Sequence, residues 1–120
     1  MAYSITEQTV AWLAGMGYAA STNPPKEAPE SPSEFVTVER TGGGAVDMLD
    51  HPMVAIQTWA HSDARAEEMA NEIRLAALTG TRPLGVSRIS VNSGPYPFWD
   101  EGTRCPRYQV VLDVTCQLMI

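Results

Sequence analysis

The predicted fold depends most on residues 86–118, V-S-R-I-S-V-N-S-G-P-Y-P-F-W-D-E-G-T-R-C-P-R-Y-Q-V-V-L-D-V-T-C-Q-L. In the last part of this stretch, alternate residues would lie on one face of a strand, namely Tyr108, Val110, Leu112, Val114, Cys116 and Leu118. The other face carries Gln109, Val111, Asp113, Thr115 and Gln117. A period of two is typical of a strand with one buried face. Together with the alternation that begins at Val86, it predicts a β-hairpin carrying a long loop.

The loop of this hairpin, residues 93–106, combines prolines with aromatic side chains. Pro95 and Pro97 are expected to interrupt the ladder, because proline has no N–H to donate. Aromatic rings surrounded by charged residues have the composition of a protein interface. The loop therefore predicts an interface formed by Tyr96, Phe98, Trp99, Asp100 and Arg104. The alternative is that one or two of the rings fold back and close the core.

Two helices are predicted upstream of this hairpin. Ser4 followed by Glu7 fits a capping box, which begins a helix over residues 5–19. Ser62 precedes an acidic first turn and caps a second, alanine-rich helix, which ends at Gly80. Both segments carry apolar residues at helical spacing, so each helix is expected to pack one face on a sheet.

Two further strands complete the predicted fold. Residues 35–40 alternate with β-branched content, and residues 53–60 are apolar on both faces, as in a central strand. The proline-rich segment 21–34 is expected to be a surface linker within the domain. The chain is therefore predicted to be one α+β domain over residues 1–120, in α-β-β-α-β-β order. Its four-stranded, mainly antiparallel sheet would be flanked by two helices.

Composition limits the partners of this domain. The net charge is −6, and one lysine and seven arginines are scattered along the chain. This composition argues against electrostatic binding of nucleic acid. No apolar run approaches the ~20 residues that span a bilayer, so no membrane partner is expected. The first residues lack the pattern of a signal peptide, which predicts a reducing cytoplasm with Cys105 and Cys116 as thiols.

A second long loop, residues 41–52, begins with three glycines. A phosphate-binding loop would need a following helix and a lysine at fixed spacing, and neither is present in the sequence. A flexible hairpin tip that becomes ordered on assembly is the favoured interpretation. The residues assigned to this assembly loop are Gly42, Gly43, Gly44, Asp47 and Asp50.

No catalytic, cofactor-binding or metal-binding residue is predicted. The acidic and histidine residues closest to a metal-binding set are Asp47, Asp50, His51, His61 and Asp63, but they lack any close ligand spacing. Cys116 falls on the apolar strand face, and a catalytic Cys105 would need a base that only distant histidines could supply.

The order of these segments resembles the tail terminator (tail completion) proteins of long-tailed, non-contractile bacteriophages. The resemblance covers nearly the whole length. Its segments are the amphipathic N-terminal helix, F-V-T-V-E-R-T-G-G-G leading to D-H-P-M-V-A-I-Q-T-W-A, S-D-A-R-A-E-E-M-A-N-E-I-R-L-A-A-L and P-R-Y-Q-V-V-L-D-V-T-C-Q-L.

This resemblance implies a non-enzymatic virion protein that forms a homo-oligomeric ring, expected to be a hexamer, at the head-proximal end of the tail tube. Such a ring stops tube growth and contacts the tail tube protein and the neck or connector, while DNA passes through its lumen only in transit. The subunit would assemble in the host cytoplasm and reside in the virion tail at the head-tail junction.

Two alternatives remain open. A neck or head-tail connector subunit would have nearly the same sequence features. A small ligand-binding or metal-dependent enzyme domain would instead use Asp50, His51, His61 and Arg88 around a pocket.

Overall fold

A computed structural model of the chain describes residues 3–22, 34–98 and 106–117. Within these ranges the chain forms two helices, α1 (Ile5–Gly15) and α2 (Asp63–Leu78). The strands in the same ranges are β1 (Ala20–Ser21), β2 (Phe35–Gly42), β3 (Ala45–Val46), β4 (Leu49–Asp50), β5 (Met53–Trp59), β6 (Val86–Pro97) and β7 (Arg107–Gln117).

All of these strands join one mixed sheet, in which β7 is shared by three neighbours. β5 pairs with residues 107–113 of β7, and β4 pairs with its last two residues. β6 pairs with β7 along nearly its whole length, from Cys116 to Tyr108, and therefore occupies the opposite side. On the far side of β5, β2 is antiparallel and β1 then adds in parallel. β6 is consequently an edge strand of the described sheet.

The prediction of a four-stranded, mainly antiparallel sheet in α-β-β-α-β-β order is wrong, because the described residues form seven strands in a mixed sheet. Three of the seven are only two residues long. β1 lies at the start of the predicted linker and pairs in parallel with β2. β3 and β4 form a small hairpin inside the predicted loop 41–52. Strands this short contain no measurable periodicity, so their partners decide whether they form.

Both helices pack on the same face of the sheet. Alternate residues of β2, β5 and β7 turn towards them and join one apolar cluster with residues of α1 and α2. The fully buried members include Leu13, Val38, Ile56, Met69, Ile73 and Leu112. The two predicted caps are confirmed, since the hydroxyls of Ser4 and Ser62 accept backbone N–H groups of the first turns. α1 ends at Gly15, four residues before its predicted end.

β6 continues through the prolines that were expected to interrupt it, so that expectation is wrong. Ser93 pairs with Val111 and Tyr96 with Gln109, and the register shift between these pairs accommodates Gly94 and Pro95. Proline is tolerated at a sheet edge because its missing N–H need not serve a second neighbour. The loop therefore begins only after Pro97.

Neither helix in the described ranges has the length and apolar character required to cross a membrane.

α2 is held on the sheet by the side chains of one of its faces. Ile73 of α2 is fully buried in the core, whereas Leu75, two residues later, is 61% exposed. This contrast separates the packed face of α2 from its outer face.

We expect Ile73→Ala to lower the free energy of unfolding by about 2–4 kcal/mol, because a buried branched side chain leaves a cavity. Leu75→Ala is the matched control and should change it by less than about 0.5 kcal/mol, as an exposed substitution does. Urea denaturation of both variants measures the difference. Equal losses would show that α2 is packed differently from the structure described here.

Candidate functional site

The sheet has two ends that carry different chemistry. β5 and β7 pair without interruption from Met53 opposite Asp113 to Trp59 opposite Arg107. We call the end at Trp59 the aromatic end, and the end that carries β3 and β4 the hairpin end. Of the predicted interface residues, Tyr96 and Phe98 lie at the aromatic end. Trp99, Asp100 and Arg104 fall outside the described residues.

The assembly-loop residues lie at the hairpin end. They comprise the end of β2, the β3–β4 hairpin and the residues between these elements, namely Gly42, Gly43, Gly44, Asp47 and Asp50. The structure therefore separates the two predicted contact regions along the length of β7.

An aromatic and cationic row crosses the aromatic end on the face away from the helices. The rings of Phe35 and Trp59 stack with centroids 5.0 Å apart and planes 19° from parallel. The Arg107 guanidinium carbon lies 4.3 Å from the centroid of Trp59 and 4.7 Å from that of Phe98. Arg107 Nε also donates to the Phe98 carbonyl oxygen at 2.9 Å. The four side chains form a continuous stack; three come from β2, β5 and β7, and Phe98 directly follows β6.

A polar row lies beside this stack, one alternate position further along each strand. The register brings Thr37, Gln57, Gln109 and Tyr96 side by side across four strands. Gln57 Nε2 donates to Gln109 Oε1 at 2.9 Å, and Gln109 Nε2 donates to Tyr96 Oη at 2.5 Å. Trp59 Nε1 donates to Thr37 Oγ1 at 3.1 Å and so joins the two rows.

Neither helix belongs to these rows, which lie on the sheet face away from the helices. Most of their side chains are nevertheless buried, since Phe35 and Gln109 are 8% exposed and Trp59 is 5% exposed. Phe98 ends the stack and is 37% exposed. Side chains already held in one conformation lose little entropy when a partner docks. We call the two rows the open-face rows.

Arg40 organises the hairpin end. Its Nη1 and Nη2 donate to the two carboxylate oxygens of Asp50 at 2.5 and 2.8 Å. Its Nε donates to the Gly42 carbonyl oxygen at 3.2 Å, and Nη2 donates to that of Gly43 at 3.1 Å. A bidentate guanidinium–carboxylate pair is among the stronger and more directional polar contacts. Arg40 thus ties the end of β2 to β4.

Gly43 is required by this close approach. Its φ is +94°, and a Cβ built on it would lie 2.0 Å from the His51 carbonyl oxygen. The neighbouring Gly44 has no atom within 4 Å of such a Cβ, and its carbonyl oxygen accepts the His51 N–H at 3.1 Å. Glycine is therefore required at position 43, where a side chain would clash with the backbone, but not at position 44.

The hairpin beyond these glycines turns on two residues. Val46 pairs with Leu49, and the residues between them, Asp47 and Met48, have φ angles of 52° and 67°. Positive φ at both central positions is the geometry of a tight hairpin turn that matches strand twist. Asp47 tolerates it, whereas a long side chain such as that of Met48 adopts it at a cost in free energy.

The residues of the enzyme alternative are brought together only in part. His51 and Arg88 do share a shallow cavity of about 360 Å³ with Ser90, Asp113 and Thr115 at the hairpin end. Asp50 is held by Arg40, and His61 follows β5 at the aromatic end. Within the described part of the chain, no three or more His, Cys, Asp and Glu side chains form a group that could hold a metal ion.

Cys116 is a core residue. Its side chain is fully buried on the helix-facing side of β7, as the alternation predicts. Burial raises the pKa of its thiol, with a smaller contribution from the charge of Asp50. A raised pKa keeps the sulfur protonated and poorly nucleophilic at neutral pH. Cys105 lies outside the described residues.

Sequence reasoning missed Arg40, Gln57 and Arg107, which hold the two ends in place. Alternation did assign Gln109 to the face opposite the apolar one, and Arg107 immediately precedes that strand segment. Gln57 is 52 residues from Gln109 and 50 from Arg107, so no local pattern identifies these contacts. Arg40 is ten residues from Asp50, across a loop whose hairpin the sequence did not predict. Comparison of the sequence with models of known protein families and with curated proteins finds no match.

We expect Gly43→Ala to lower the free energy of unfolding by about 2–3 kcal/mol, because the added methyl group meets a backbone oxygen at a positive φ. Gly44→Ala should be close to neutral, since open space surrounds that position. Thermal and urea unfolding of the pair measures the contrast. Similar stability in both variants would contradict the close approach at Gly43.

The Arg40 contact predicts a pH dependence of stability. Hydrogen bonds from Arg40 are the main cause that lowers the pKa of Asp50 below its usual value. A carboxyl group with a lowered folded-state pKa stabilises the fold above its unfolded pKa of about 3.9, and that contribution is lost as the pH falls through the folded value.

Asp50→Asn should therefore reduce stability at pH 7 and flatten the loss of stability between about pH 5 and 2. Glu34, whose pKa is also lowered, chiefly by Arg65, supplies a second contribution that this variant leaves in place. Urea denaturation across this pH range measures both effects. An unchanged pH profile in Asp50→Asn would show that the Arg40–Asp50 pair contributes nothing to folding.

Proposed function

We propose that this chain is a bacteriophage virion structural protein, a tail terminator that forms a homo-oligomeric ring at the head-proximal end of the tail tube. The observation that carries the proposal is that apolar side chains are exposed at both ends of one sheet. Phe98 is exposed at the end of the open-face rows, and Val46 and Met48 are exposed in the β3–β4 hairpin. Such a subunit has contact points for neighbours without having to rearrange its core.

The free edge of β6 supports the same proposal. β6 is twelve residues long, and in the described sheet it pairs on one side only, with β7. An edge strand offers unpaired backbone groups to another chain, which is a common route to association. Apart from Pro97 at its end, the exposed residues of β6 are polar, as expected of an edge that must not aggregate, namely Ser87, Arg88, Ser90 and Asn92.

The net charge fits a ring around passing DNA. A chain with charge −6 repels phosphates, so DNA would slide through a lumen lined by such subunits without binding strongly. The hexameric number, and contact with the tail tube and with the neck or connector, are carried by the sequence resemblance to tail terminators. Assembly in the host cytoplasm and residence at the head-tail junction belong to the same proposal.

A neck or head-tail connector subunit is the second candidate, because the same exposed side chains at the two ends would serve it equally well. The enzyme alternative has weaker support, since His61 lies at the other end of β5 from Asp50, His51 and Arg88. We therefore propose that the chain acts by binding other proteins and has no catalytic role.

The test combines the chain with purified subunits of a tail tube and examines the products by negative-stain electron microscopy and light scattering. A terminator should give rings, or tubes closed at one end with a fixed length. A chain that leaves tube length unchanged, yet binds a connector ring, would be a neck subunit. Binding to neither partner would contradict the proposal.

Phe98 provides a site-specific prediction within the same assay. Phe98→Ala should greatly reduce capping of the tube, because it removes the exposed ring at the end of the open-face rows. Met16→Ala is a matched control, since Met16 is 36% and Phe98 37% exposed. Both variants should keep the wild-type melting temperature within a few degrees. Equal capping by both would remove Phe98 from the interface.

A further inference from the structure

Exposed apolar side chains are concentrated at the hairpin end. Among the described residues, those large apolar side chains that are exposed at this end are Val46, Met48, Leu49, Leu75, Leu78 and Leu84. The other exposed large apolar residues of the described ranges are Met16 and Phe98. β4 and the start of β6 both pair with Cys116, and α2 runs towards the same end before the chain returns to β6. Single exposed apolar residues are ordinary, but a concentration of them indicates an interaction surface.

These side chains form two separate groups. The hairpin tip carries Val46, Met48 and Leu49, which are 60%, 77% and 38% exposed. The second group, which we call the helix patch, comprises Leu75 and Leu78, one turn apart on the outer face of α2, and Leu84 in the connection from α2 to β6. These three side chains are 61%, 63% and 66% exposed. Because all six remain exposed to this extent, the two groups do not bury each other within one chain.

The backbone of the hairpin tip supports a functional role for its side chains. Met48 has a φ of 67°, a conformation that glycine or asparagine adopts at much lower cost. It is also the most exposed large apolar residue in the described part of the chain. A costly conformation that presents an apolar side chain to solvent is explained if a partner covers that side chain.

Charge complements the apolar groups. Asp47 lies between Val46 and Met48 on the tip, and Arg74 directly precedes Leu75 on α2. The ion pairs found in the described residues involve Arg40 and Arg65, so neither Asp47 nor Arg74 has an ionic partner within the described chain. One group is apolar with a negative charge, and the other is apolar with a positive charge.

We infer that the hairpin tip of one copy docks on the helix patch of the next copy, with Asp47 facing Arg74. The occupant is a second copy of this chain because a single chain carries both complementary groups. A contact between two different surfaces repeats by rotation and closes into a ring when the rotation closes. The inference rests on the proposed ring and specifies which surfaces of neighbouring subunits meet.

Cysteine cross-linking tests this contact even when the association is weak. In a Cys105→Ser background, Met48→Cys in one chain and Leu78→Cys in another are mixed and oxidised; the buried Cys116 remains. We expect a heterodimer as the main cross-linked product. Glu68→Cys, also exposed on α2 but farther from the patch, replaces Leu78→Cys as the control and should cross-link much less. Tip-to-tip homodimers, or equal yields with the control, would overturn the inference.

Charge reversal provides a second, independent readout. Asp47→Arg and Arg74→Asp should each reduce the cross-linked yield by at least about fivefold, and the two together in every chain should restore it to within about twofold. Far-ultraviolet circular dichroism and melting temperature establish that each variant folds. Single reversals that leave the yield unchanged would contradict the pairing of Asp47 with Arg74.

The contact between copies and the tail-terminator function can fail separately. If tip-to-patch cross-links form and the chain does not cap tail tubes, the contact stands and the tail-terminator function is wrong. If the chain caps tubes and the reversed variants cap them equally well, the function stands and the contact between copies lies elsewhere. If each single charge reversal abolishes capping and the double variant restores it, both the contact and the tail-terminator function are supported.

Discussion

The register of β5 on β7 is the constraint on which the rest of the structure depends. Seven consecutive pairs, from Met53 opposite Asp113 to Trp59 opposite Arg107, set the position of every side chain on both faces. On the helix side the register aligns Val54 with Leu112 and Ile56 with Val110 under α1 and α2. On the other side it aligns Gln57 with Gln109 and Trp59 with Arg107. A slip of one residue would exchange the two faces and place the amides of Gln57 and Gln109 among the apolar side chains of the helix side.

This single register also separates the two functional ends. The aromatic end is rigid, since stacking and hydrogen bonds hold its side chains across four strands. The hairpin end combines the Arg40 contact, which holds its base, with a tip that exposes apolar side chains. Rigid side chains favour specific docking, and an exposed tip favours insertion against a neighbour. The proposed ring subunit requires both kinds of contact, because it must bind neighbouring copies of itself and also the tail tube or the neck.

The sequence predicted the parts of the fold that depend on local periodicity. The alternation in β7 placed Val110, Leu112 and Cys116 in the core, and the serines before α1 and α2 were identified as caps because their bonding is local. It did not predict β1, β3 and β4, since two-residue strands form only where a distant partner is available. The prolines of β6 were misinterpreted for a related reason, because nothing in the local sequence shows that the strand lies at an edge.

The candidate site was predicted in part for the same physical reason. Tyr96, Phe98 and Asp50 were identified by residue type, but the contacts that position them come from Gln109, Arg107 and Arg40. Phe98 is nine residues from Arg107 in sequence, whereas Gln57 and Gln109 are 52 residues apart. Composition therefore indicated a contact surface, and only the three-dimensional register shows how it is organised.

Hydrogen–deuterium exchange of the chain, alone and after assembly with tail tube subunits, tests the central claim most directly. The account predicts slower exchange on assembly in the β3–β4 hairpin, in the last turns of α2 and at the end of β6, with little change in β5 and the centre of β7, which are already protected. Assembly without added protection at the hairpin and α2, or a profile that stays unchanged when tube protein is present, would contradict it.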